Sequence, residues 1–187
     1  KTEFDSAIIR ARLETASFLQ RGVKITYVDL ANKTKETFFH EQGIVDYLAK
    51  VLKERNARPI HESPFTLRKE DDFRVELTLQ WTESTDEHVR SYVNGIPTSN
   101  GGTHENGCRG AISKAVRNYI DTHSLTPRGV KFTHEDIREG LVVILSVFIA
   151  EPQFQGQTKD RLNNPEFQSV VEAVIRPAME QWMNNNR

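Results

Sequence analysis

A chain of 187 residues buries roughly 70% of the surface its unfolded form exposes, enough for one domain, or for one domain with an appendage. With 37% apolar residues and no long biased run it is globular rather than disordered. Its 25 basic and 26 acidic side chains leave a net charge of −1, which excludes a global electrostatic footprint for nucleic acid; any such contact must be local. Cys108, the single cysteine, excludes an internal disulfide and fits a reducing compartment. The longest apolar run, Leu141 to Ala150, is too short to span a bilayer, and the N-terminal residues lack a signal-peptide layout, so a soluble, cytoplasmic protein is expected.

In chain order, Ile9, Leu13, Ala16 and Leu19 repeat at helical spacing, and Arg21-Gly22 closes that amphipathic helix. Val23 to Leu30 alternates as a strand and a second extended run follows at Thr37 to His40, a helix and hairpin that bury too little to stand alone. A second helix is predicted from Ile44 to about Glu54, with the loop Asn56 to Pro64 behind it. Phe73, Val75, Leu77, Leu79 and Trp81 alternate with polar residues, the pattern of a half-buried strand, and His88 to Asn94 is expected to return as its antiparallel partner. After the Gly95 to Gly102 loop, Thr103 stands where an N-cap would, and apolar positions from Cys108 to Ile120 carry a helix to about Asp121.

Thr133-His134-Glu135-Asp136 reads as a capping-box variant opening a short helix. Leu141 to Ala150, apolar without alternation, reads as a central strand covered on both faces. Asn164-Pro165 starts a last helix that Pro177 is expected to kink. Strands followed by helices in this order suggest an α+β layer with the helices gathered on one face of the sheet.

The polar loop Glu151 to Asp160 follows the apolar strand directly. Within it Gly156 permits close backbone approach, Gln157 offers an amide, and Lys159 offers a compact ammonium suited to an anionic oxygen such as a phosphate. By residue types alone a solvated strand-to-helix connection is the default reading. Gly101-Gly102-Thr103-His104 opens a helix whose free amides favour anions, although the glycines serve equally to turn a strand into a helix, and His104 is not counted as a site residue. Arg109, Lys114, Arg117, Arg128 and Lys131 form a locally basic tract. His40, His61, His88, His123 and His134 are scattered without ligand spacing, so no metal site is expected.

Gly101-Gly102-Thr103-His104-Glu105-Asn106-Gly107, Glu135-Asp136-Ile137-Arg138-Glu139-Gly140-Leu141 and Pro152-Gln153-Phe154-Gln155-Gly156-Gln157-Thr158-Lys159, taken in order, resemble the transducer domain of the B subunits of bacterial type IIA topoisomerases, the family of DNA gyrase and topoisomerase IV. Arg12 to Gly22 resembles the segment that closes the family's ATPase domain. The resemblance implies two parts: residues 1–42 as the end of a GHKL-type ATPase domain, a helix and hairpin remnant, and residues 43–187 as the transducer domain. It implies a mainly four-stranded sheet with helices on one face, of ribosomal-protein-like fold, and a left-handed β-α-β crossover where handedness statistics favour a right-handed one.

The same resemblance implies that Gln157 and Lys159 contact the γ-phosphate of ATP, with Lys159 as the catalytic contributor, and that Arg109, Lys114 and Arg117 face a passing DNA segment. The partners it implies are the ATPase domain and C-terminal region of the same polypeptide, the topoisomerase A subunit, DNA, and a second copy joined through the ATPase domain, with no membrane. The cofactor is ATP with Mg2+ in the complete enzyme, and none is expected for the chain alone. No Asp-x-Gly-x-Gly or Gly-x-x-Gly-x-Gly occurs, so the chain alone should not hydrolyse ATP and is expected to be part of a longer protein. Pro127 to Lys131 and Trp182-Met183-Asn184 look closer to topoisomerase IV, and Arg138 to Leu141 closer to gyrase. A free-standing interaction or dimerisation module and a nucleic-acid-binding module of related fold stay open as alternatives.

Overall fold

The structure is a computed structural model that describes residues 4–187. The described residues form two compact units that divide between residues 56 and 57. In the first, helix α1 (Ser6–Leu19) precedes strands β1 (Ile25–Asp29) and β2 (Thr34–Phe38), which pair antiparallel as a two-stranded sheet of their own, and helix α2 (Ile44–Glu54) follows. The second strand begins earlier than its apolar residues suggest, because pairing with β1 recruits Thr34 to Glu36. Asp5 caps α1, accepting from the amides of Ala7 at 3.0 Å and Ile8 at 3.3 Å. Asp29 ties the hairpin to the helix: it accepts from the Ser6 hydroxyl at 2.7 Å and the Asn32 amide group at 2.8 Å, bonds that hold its carboxyl down at about 2. Phe18 stacks on His40 and Tyr47, with Leu48 and Val51 of α2 buried.

The second unit is α+β. Its sheet has the order β3-β4-β7-β5-β6, formed by β3 (Phe65–Glu70), β4 (Arg74–Trp81), β5 (His88–Val93), β6 (Ile96–Pro97) and β7 (Leu141–Phe148). Two findings depart from expectation. There are five strands rather than mainly four, since Phe65–Glu70 forms a charged edge strand and Ile96–Pro97 a two-residue edge. And β5 does not return beside β4: β7 lies between them, antiparallel to β4 and parallel to β5. β7, apolar along its length, thus holds the centre of the sheet with a neighbour on each side.

Helices α3 (Thr103–Thr122) and α4 (His134–Arg138) connect β5 to β7, and α5 (Pro165–Asn185) closes the chain, continuous through Pro177. Val75, Leu77 and Leu79 of β4 and Leu141, Val143, Leu145 and Val147 of β7 form a single core with Ala111, Ile112 and Ala115 of α3 and Val171, Ile175 and Met179 of α5. The two helices approach closely at Gly107, where a Cβ would lie 2.4 Å from the Gln168 carbonyl oxygen. The polar side chains of β4 are also buried, so the strand is not half-exposed; Thr78 contacts the Thr66 hydroxyl, Gln80 donates to the His61 carbonyl at 2.6 Å, and Glu76 pairs with Arg68 at 3.3 Å. Thr133 caps α4 with the reciprocal capping box expected, Asp136 donating its amide to the Thr133 hydroxyl and accepting from the Thr133 amide. No described helix is long and apolar enough to cross a membrane.

Candidate functional site

The loop from Glu151 to Asn164 is pinned at its base and open at its tip. The Asn164 side chain accepts from the Gln153 amide at 2.7 Å and donates to the Glu151 carbonyl at 3.3 Å, while Asn163 donates to the Gln153 carbonyl at 2.7 Å and Gln155 to the Arg161 carbonyl at 2.9 Å. Phe154 and Leu162 face each other across this narrow hairpin, and Leu162 is fully buried in the core. On its other side the base is tied to the segment before α3. Asn100 donates its backbone amide to the Asp160 carbonyl at 2.9 Å and its side-chain amide to the Asp160 carboxylate at 2.8 Å, and Arg161 donates to the Asn100 carbonyl at 3.2 Å.

Leu162 then bridges to Gly102, with the Leu162 amide donating to the Gly101 carbonyl at 3.2 Å and the Thr103 amide to the Leu162 carbonyl at 3.1 Å. Only glycine fits at 102. Its φ is +140°, and a Cβ there would lie 2.5 Å from the Leu162 carbonyl oxygen. Gly102, not Thr103, is consequently the N-cap of α3: the Thr103 amide is already bonded to the loop, and Thr103 is the first helical residue.

Beyond this base, Gly156, Gln157, Thr158 and Lys159 are exposed. Gly156 has φ +71° with nothing near the position of a Cβ, and Lys159 itself adopts a left-handed φ of +56°, a conformation that costs an L-residue about 1–2 kcal/mol. Neither Gln157 nor Lys159 has a hydrogen-bonding or ionic partner among the described residues. An ammonium on a rigid base with no internal carboxylate is what an external anion requires. No group of three His, Cys, Asp or Glu side chains that could hold a metal ion occurs among the described residues.

The other two motifs meet this loop through α3. His104 is fully buried, with Nε2 2.9 Å from the Thr98 hydroxyl, and burial pushes it down to about 4, so it stays neutral. The Ser91 hydroxyl donates to Glu105 at 2.7 Å, Glu105 pairs with Arg109 at 2.7 Å, Arg109 donates to Glu87 at 2.5 Å, and Arg138 donates to the second oxygen of Glu87 at 2.8 Å. Arg109 thereby stays charged against the cost of its burial. Burial, with Glu105 adding, pushes the Cys108 thiol up to about 12. Glu87 and Asn100 carry no periodic or motif signal, and sequence reasoning missed both.

Three cations of the basic tract are already engaged within the chain. Arg109 is committed to two carboxylates, Lys114 pairs with Glu172 of α5, and Arg117 donates to the Phe132 carbonyl at 2.9 Å. All three lie on α3, but the fold does not gather them with Gln157 and Lys159 into one set of contacts.

Residues 43–187 match the family described as DNA gyrase B. Among curated relatives, the DNA gyrase B subunit of Archaeoglobus fulgidus is 37% identical over 99% of this chain and 29% of its own length. That of Chlamydia muridarum is 39% identical over 98% of this chain and 24% of its own. The chain thus spans 24–29% of the length of these two relatives. Among solved structures, the 43K ATPase domain of Thermus thermophilus gyrase B, in complex with an aminocoumarin, superposes with a TM-score of 0.87 at 28% identity, over 100% of this chain and 50% of that one. The topoisomerase IV ATP-binding domain of Francisella tularensis, in complex with a small-molecule inhibitor, gives 0.84 at 30%, with the same coverage. With a family match over most of its length and a five-stranded α+β unit of the same fold, the chain belongs to the DNA gyrase B family.

Proposed function

We propose that the chain is the transducer region, with the end of the ATPase domain, of the B subunit of an ATP-hydrolysing type II DNA topoisomerase. In this reading residues 1–42 close the ATPase domain and residues 43–187 form the transducer, although its first helix, α2, packs within the first compact unit, and β5-α3-α4-β7 is its left-handed crossover. Gln157 and Lys159 extend to the γ-phosphate of ATP, held with Mg2+ by the ATPase domain of the same protein. The topoisomerase A subunit, DNA and a second copy of the same protein are its partners, in the cytoplasm.

The observation that carries the reading is the unpaired Lys159 on a loop whose base is fixed to the core at Leu162 and to α3 at Gly102. An ammonium about 4 Å from a phosphate oxygen gains roughly 4 kcal/mol at an effective dielectric of 20, before desolvation is charged against it. ATP supplies the phosphoryl group. Lys159 stabilises the charge on its oxygens, Gln157 donates its amide there, and the pinned base holds both in register. Hydrolysis and phosphate release remove that contact, a differential interaction that lets the nucleotide bias the position of the loop and of α3. DNA contacts by Lys114 and Arg117 require their present partners to yield, and Arg109 is the least free of the three.

In the full-length protein, Lys159→Ala is expected to lower ATP turnover at saturating ATP on the order of a hundredfold. ATP-driven strand passage should fall with it, while ATP-independent relaxation survives. A mutant within about threefold of the parent makes Lys159 a solvated loop residue and ends the site assignment.

A further inference from the structure

The chain of bonds from the Lys159 loop does not stop at α3. Gly102 and Leu162 join the loop to the N-terminus of α3; one turn on, Glu105 pairs with Arg109, and Arg109 meets Glu87 in the turn before β5. Glu87 uses its other oxygen for Arg138, the last residue of α4, at 2.8 Å, and Arg138 also reaches the buried Ser113 hydroxyl of α3 at 3.4 Å. Glu87 thus grips guanidinium groups from two different elements, one oxygen to each. Helix α4 has independent attachments, since Trp81 donates its indole N–H to the Ile137 carbonyl at 2.9 Å and Thr82 donates its amide and hydroxyl to the Gly140 carbonyl, both at 2.8 Å. Without the Glu87 charge, Arg109 and Arg138 lose the carboxylate between them, Arg109 is left to Glu105 alone, and the disturbance falls on the Ser91–Glu105–Arg109 bonds in the first turn of α3, next to the Gly102–Leu162 bridge.

We propose that Glu87 is a positioning residue for the Lys159 loop, clamping Arg109 of α3 to Arg138 of α4 and so fixing, through Gly102 and Leu162, the base from which Lys159 extends. This rests on the γ-phosphate reading of the loop. It makes α4 the element that senses the loop's position, and it joins the Gly101–Gly107, Glu135–Leu141 and Pro152–Lys159 motifs in one mechanical path.

The test compares Glu87→Gln, Lys159→Ala and the double variant in the full-length protein. Glu87→Gln should lower ATP turnover about tenfold with little change in KM, because misplacing a transition-state contact costs rate rather than ground-state binding. On the Lys159→Ala background it should cost nothing further. Hydrogen exchange at the amides of Thr103, Gln155, Leu162 and Asn163 should quicken about tenfold, with β7 unchanged. Should Glu87→Gln fail to fold, Arg138→Lys, which keeps the charge but loses the planar fork, carries the same expectation at roughly threefold. Parental turnover and loop exchange in Glu87→Gln beside a slow Lys159→Ala overturn the clamp alone, as does a loss that multiplies in full with Lys159→Ala. A Lys159→Ala variant that turns over like the parent overturns the γ-phosphate reading and the clamp with it.

Discussion

His104 shows how a residue at a helix start is governed by burial rather than by its neighbours in sequence. Its ring lies inside the unit with one nitrogen at the Thr98 hydroxyl and the other without a partner, so the neutral form is favoured and its value falls from 6.5 to about 4. The unfolded chain takes up a proton near pH 6.5 and the folded one only near pH 4. Its contribution is therefore complete above about pH 6.5 and is lost as pH falls towards 4, reaching on the order of 3 kcal/mol. Urea midpoints between about pH 7 and pH 4.5 should fall with pH for the parent and fall less steeply for His104→Gln; equal slopes would place the titration elsewhere.

At the scale of elements, the join between loop and helix is backbone against backbone. A Cβ at position 102 would come within 2.5 Å of the Leu162 carbonyl oxygen and 2.6 Å of its nitrogen, and neither can move as a flexible side chain would. Gly102→Ala is expected to part the bridge and cost about 2 kcal/mol or more, lowering the thermal midpoint by roughly 4–8 °C. Gly156→Ala, where no atom lies near the added methyl, should be milder despite its positive φ. A midpoint for Gly102→Ala within about a degree of the parent would show that the bridge opens freely.

For the molecule as a whole, the solved gyrase and topoisomerase IV structures extend over twice the length matched here. A single exposed loop with one lysine and one amide cannot enclose a nucleotide, whose binding requires a concave site that removes most of its surface from water. The chain purified by itself is expected to show no ATP turnover above background and only weak nucleotide affinity. Saturable ATP binding at micromolar concentration, measured by calorimetry, would refute that expectation.

The elements that sequence alone determined are those whose signal is local. Helix α2 was legible from its apolar spacing, β4 from its alternation, the cap of α4 from Thr133 and Asp136, and β7 as central from its unbroken apolar run. The exposed connection between β7 and α5 was legible too, because Glu151 to Asp160 is a polar run directly after an apolar strand. What required the tertiary structure was pairing between distant segments. The edge strand Phe65–Glu70 is mostly polar and becomes a strand by bonding to β4, while β7 takes the place beside β4 that proximity assigned to β5. Arg109 reads as a free cation in a basic tract until Glu87, remote in sequence, is brought against it. Hydrogen bonds and ion pairs between remote residues leave no periodicity in a sequence, and they decided which cations are committed inside the fold and which, like Lys159, face outward.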